Sequence, residues 1–178
     1  GSVQAGFFAK QAGADGIGMH LFLNASEGRS YASVLSPPAR NASVDFYVDK
    51  PAPTLVVRKD GNAWAEPFAA VFEPFTGDGE DRSVQSVNTL ERDGRFTGLV
   101  VRSVVEGDKI TQVILVHEED AMRTYPDWDL GFSGHFAVVS FGPDGKILDA
   151  YIGDGKRLTA GDHSIQLDEQ THSAHVRF

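Results

Sequence analysis

Apolar residues alternate with other residues along most of this chain, and very few stretches repeat with the helical period. Met19-Leu21-Leu23, Leu55-Val57 and Leu99-Val101 show the period-two habit cleanly. Runs rich in β-branched and aromatic residues predict strands over 43–48, 54–58, 68–72, 83–90, 96–105, 110–117, 132–141, 147–152 and 164–167. Between them stand Asp60-Gly61, Asp93-Gly94, Gly107-Asp108, Asp144-Gly145, Asp154-Gly155 and Gly161-Asp162. Such pairs supply the positive φ angles of tight turns. Only residues 5–12 suggest a short helical turn. Strands separated by close-set turns predict an all-β fold, an antiparallel two-sheet β-sandwich of jelly-roll-like kind.

Pro67 and Pro74 flank the strand expected at 68–72, so that strand lies at a sheet edge or is bounded there, because proline cannot donate to a ladder. Residues 35–42 and 76–82 read as loops, too short for domain linkers. There is no internal repeat. Gly1-Ser2 reads as a cloning scar and residues 3–178 as one sandwich domain, a piece of a longer protein.

Composition narrows the functional classes. The chain is 41% hydrophobic and 23% charged, which is globular, and it has no apolar run long enough for a membrane helix. Sixteen basic and 25 acidic residues leave a net charge of −9, which argues against nucleic-acid and anionic-membrane partners. The acidity is concentrated: residues 1–76 carry 6 basic and 7 acidic groups, residues 77–178 carry 10 and 18. With no cysteine, thiolate metal sites, disulfides and cysteine nucleophiles are excluded.

Candidate chemistry is sparse. No histidine pair has the helical spacing of a zinc protease. Gly131-Phe132-Ser133-Gly134 lacks the spacing of a nucleophile elbow. No cofactor is implied except calcium, for which Asp127, Asp129 and the run Glu118-Glu119-Asp120 offer hard oxygen ligands. The most suggestive stretch is 117–135, where Arg123, Tyr125, Asp127, Trp128 and His135 fall in one polar connection. A sugar presents an apolar CH face ringed by hydroxyls, so an aromatic pair beside charged hydrogen-bonding groups suits it. Tyr125 and Trp128 are the candidate platform, with Arg123 reaching a carboxylate or sulfate; the competing reading is that Trp128 plugs the loop onto the core. Trp64 reads as a structural residue near a sheet edge.

The string TLVVRKDGNAWAEPFAAVFEPF at 54–75 resembles the C-terminal β-sandwich region of heparinase II/III-like polysaccharide lyases. The matching positions are Arg58, Ala63, Trp64, Pro67, Phe68, Val71, Glu73 and Pro74, and weaker likeness extends over about residues 17–166. Members of that family cleave uronic-acid polysaccharides by β-elimination, with their main acid and base groups on an α/α toroid. A chain of 178 mostly β residues has no room for a toroid, and the match around His20 is too thin to carry a role. The resemblance therefore implies a non-catalytic carbohydrate-binding module of a bacterial lyase, secreted or periplasmic, binding a polysaccharide such as alginate or ulvan. Its partners would be that polysaccharide and the catalytic domain of the parent lyase. The alternative is a structural domain that touches no sugar.

Overall fold

The computed structural model describes residues 2–9, 16–24, 26–36, 51–61, 66–77, 82–169, 171 and 173–178. Among the described residues, thirteen strands and one short 3-10 turn make up the regular structure, and every strand pairing is antiparallel, so the fold is all-β. The chain divides into two compact units, residues 1–25 with 68–178, and residues 26–67.

The smaller unit contains the hairpin of β3 (Arg29–Ser36) and β4 (Ala52–Lys59), in register from Arg29 opposite Lys59 to Ser36 opposite Ala52. Arg29 donates from Nη2 to the Glu66 and Pro67 carbonyls at 2.8 and 2.7 Å, and Lys59 pairs with Glu66 at 2.9 Å. The strand expected at 43–48, and Ala63 and Trp64 of the lyase-like string, lie outside the described residues.

The larger unit is a sandwich. Its small sheet runs β1 (Ser2–Ala9), β2 (Ile17–Asn24), β5 (Ala70–Thr76). β5 is an edge strand, one of the two outcomes the prolines allow, but it starts later than expected and Pro74 lies within it rather than beside it. Residues 2–9 are strand, correcting the helical turn expected from residue 5: the ladder to β2, Ser2 opposite Asn24 through Ala9 opposite Ile17, satisfies their backbone groups instead. The large sheet is a near-sequential meander in the order β12 (His163–Gln166), β11 (Ile147–Ala160), β10 (Leu130–Phe141), β8 (Asp108–Val116), β7 (Arg95–Val105), β6 (Val84–Arg92). The short strands β9 (Arg123–Tyr125) and β13 (Ala174–Arg177) add to β10 and β11.

One cluster of apolar side chains joins the sheets: Phe22 of the small sheet, with Val71 beside it, packs on Val87, Leu99 and Val101. The larger core lies on the other face, around Val113, Leu115, Phe132, Val139, Ile152 and Leu158, all at most 1% exposed. Phe132 and Ala137 both point into it although they are five positions apart, an odd offset that a regular pleat forbids. Register shifts between Ser133 and Ala137 resolve this. At that bulge Gly134 faces Gly155 so closely that a Cβ on Gly134 would lie 2.3 Å from the Gly155 Cα. Asp154-Gly155, expected as a turn, is thus part of a bulge inside β11; its glycine serves backbone approach rather than chain reversal.

Candidate functional site

At one end of the large sheet, β6 and β7 are joined by Asp93-Gly94 with φ of 53° and 71°. Both residues are left-handed, as the twist of a two-residue hairpin demands. That turn sets Arg92 directly opposite Arg95. Like charges facing each other across a ladder destabilise it. Arg92 has some relief from Asp93, whose carboxylate lies 3.9 Å from its Nε, while Arg95 forms no ion pair among the described residues.

A third arginine joins them from β9. This strand is held on β10 with Arg123 opposite Phe132 and Tyr125 opposite Leu130. Its alternation sends Tyr125 into the core and leaves Thr124 exposed, with Arg123 half-buried and its head group at the rim. Arg92, Asp93, Arg95, Met122, Arg123 and Thr124 line an open pocket of about 450 Å³. Three guanidinium groups and one carboxylate give it a positive balance within an acidic chain. Planar, multidentate donors of this kind suit carboxylate and sulfate oxygens.

Behind the pocket sits a buried polar pair. His117 and Tyr125 are each 4% exposed, and His117 Nε2 and the Tyr125 hydroxyl are 2.5 Å apart. His117 Nδ1 is buried with no hydrogen-bond partner among the described residues. Burial first, then the Arg123 and His135 charges, push the His117 pKa down to about 4, so its ring is neutral at pH 7. Burial raises the Tyr125 phenol, which outweighs a hydrogen bond from Thr97 and the nearby Arg123 and Arg92 charges. Two neutral groups sharing one hydrogen bond form a structural floor.

Among the five residues expected to form a sugar site, Arg123 alone lines the pocket. Tyr125 offers no ring face to solvent, because the β9 alternation turns it inward. Trp128, half-buried in the 3-10 turn Pro126–Trp128, packs on the core with its ring 5.7 Å from that of Phe141, as the competing reading of a plugged loop has it. Asp127 is exposed on the same turn. His135 is exposed on β10, and its Nδ1 donates to the His117 carbonyl at 3.1 Å.

In the acidic run, Asp120 pairs with Lys156, and Glu119 lies 3.9 Å from Arg123. Among the described residues no three His, Asp or Glu side chains converge as for a metal ion. Arg92 and Arg95 escaped the sequence reading, although the signal was there: a two-residue Asp-Gly hairpin necessarily juxtaposes the residues on either side of it.

This pocket lies within residues 84–178, the span that matches the family of endo-acting ulvan lyase C-terminal domains. The chain belongs to that family. It is similar to an endo-acting ulvan lyase of Formosa agariphila, 34% identical over 154 residues, covering 86% of this chain and 18% of the relative. The chain thus spans about a fifth of that protein's length. No solved structure matches it significantly.

Proposed function

We propose that this chain is a non-catalytic carbohydrate-binding module of a secreted or periplasmic polysaccharide lyase, and that it holds the carboxylate or sulfate groups of an anionic, ulvan-type polysaccharide in the arginine pocket. The observation that carries the reading is Arg92 set opposite Arg95, with Arg123 beside them, in a chain of net charge −9. A repulsion built into a hairpin is relieved when an anion lies between the guanidinium groups. The name of the Formosa agariphila relative supports the ligand class, and the lyase-like string at 54–75 supports kinship with heparinase II/III-like sandwiches. The buried His117–Tyr125 pair supports a binding role, since neither group reaches a ligand's proton.

Affinity electrophoresis and titration calorimetry with ulvan, with and without calcium, test the reading. Arg92→Ala, Arg95→Ala and Arg123→Ala should each weaken binding about tenfold, the worth of one charge-assisted contact. If ulvan fails to retard the wild-type chain at low salt in either condition, the chain is the structural domain of the alternative reading.

A further inference from the structure

The outer face of the large sheet is only partly covered. On β6 and β7 it carries Val87, Leu99 and Val101 under the small sheet. Farther along, on β8, β10, β11 and β13, the side chains opposite the core stand in ordered cross-strand rows. Ala137, Val139, Ala150, Ile152, Val113 and Leu115 face the core, so their alternating neighbours face outward.

One row is polar: Gln112, Ser140, Asp149 and Arg177, each opposite the next in register. Ser140 Oγ donates to Asp149 Oδ1 at 3.2 Å, and the Gln112 amide lies 3.5 Å from Ser140 Oγ. The next row holds Val138, Tyr151 and His175, again opposite one another. The row beyond it holds Val116 and Phe136, which are 40% and 38% exposed.

The aromatic rings touch across these rows, Phe136 to Tyr151 at 6.2 Å edge-on and Tyr151 to His175 at 6.3 Å. Gly153 permits the arrangement. A Cβ there would lie 2.8 Å from both the Phe136 and Tyr151 rings, so only glycine lets them settle over the backbone. Asp149 Oδ1 accepts from Ser140 and lies 3.6 Å from His175 Nε2.

From this we infer a second carbohydrate-binding face, on which an uncharged pyranose stacks its CH face on Phe136 and Tyr151 and hands its hydroxyls to Asp149, Gln112 and His175. The chemistry selects a polyol. The exposed Phe136 ring and the half-buried Tyr151 ring supply an apolar floor. A fixed carboxylate accepts from hydroxyl donors, and an amide both donates and accepts. With one carboxylate and one guanidinium in the polar row, the face has no excess positive charge to draw an anion. The inference rests on the carbohydrate-binding reading for its ligand class, but it uses none of the pocket residues.

The probe is ulvan that has been desulfated and carboxyl-reduced, titrated calorimetrically into the full chain at high salt, where the arginine pocket is screened. Wild type and the Arg92→Ala/Arg95→Ala double variant should bind it equally. Phe136→Ala should weaken binding roughly tenfold, about the worth of one aromatic contact, with an unchanged melting temperature confirming the fold. Asp149→Asn, which keeps the side-chain shape, should weaken it several-fold. The inference is overturned if the neutral polymer does not bind wild type, or if neither variant alters its binding. It is also overturned if Phe136→Ala disturbs only association with the lyase's catalytic region, which would make this face a protein contact. Because native ulvan and the arginine variants report separately on the pocket, either site can fail without the other.

Discussion

His117 shows how one buried side chain ties stability to pH. Its pKa of about 4 lies below the ordinary 6.5 of a free histidine. Between those two values the unfolded chain binds a proton that the folded chain refuses, so stability rises with pH across this window and is lost as acid is added. The shift corresponds to on the order of 3 kcal/mol. Urea unfolding of wild type and His117→Gln at pH 7.5 and pH 4 should show the wild type losing about that much more than the variant on acidification. Equal losses would mean that the Tyr125 contact and the burial of the ring are not what hold His117 neutral. The two aromatics of the same connection are turned to packing: strand alternation buries Tyr125, and half-buried Trp128 rests on Phe141.

At the scale of elements, two local devices position what the chain presents. The Asp93-Gly94 turn forces Arg92 and Arg95 into opposition. Such a pair is tolerated rather than favoured, so Arg95→Ala, which weakens ulvan binding, should leave the melting temperature unchanged or slightly raised. The second device is the Gly134–Gly155 bulge, which inverts the pleat of β10 so that Phe132 and Ala137 share one core. Gly134 has a φ of 149°, and a methyl group there would strike the opposing backbone. Gly134→Ala should therefore cost about 2–4 kcal/mol, read by thermal or urea unfolding. A cost below about 1 kcal/mol would show that the strands can separate there without losing the core.

For the whole molecule, the net charge of −9 opposes an anionic polymer at long range, while the pocket attracts it at contact. These two terms respond differently to salt. Screening removes the long-range repulsion within a Debye length of about 8–10 Å and also weakens exposed guanidinium contacts. The affinity for native ulvan should therefore stay level or rise slightly with the first additions of salt and then fall steeply above about 0.15 M. A calorimetric salt series checks this. A monotonic, steep fall from the lowest salt would mean that the chain's acidity lies too far from the pocket to matter.

Much of this was legible in the residues alone. Period-two alternation, with Asp-Gly at the hairpins, determined an all-β antiparallel fold, because side-chain direction in a strand depends only on the parity of position. It placed most of β4, β6 to β8, β10 and β12 and the first three residues of β5, whose prolines allowed the edge position it takes. The excess of acid and the absence of cysteine bounded the partners before any strand was placed. What only tertiary structure decided lies wherever local pattern and long-range pairing part company. Residues 2–9 became strand because β2 offered a ladder. Asp154-Gly155 became a bulge because β10 passed too close for a side chain. The arginine pocket drew Arg123 from one strand and Arg92 and Arg95 from a hairpin some thirty residues earlier. The rows on the open sheet face combine β8, β10, β11 and β13 in the same way. Register between distant strands is a sum of many packing contacts, and no short stretch of sequence contains it.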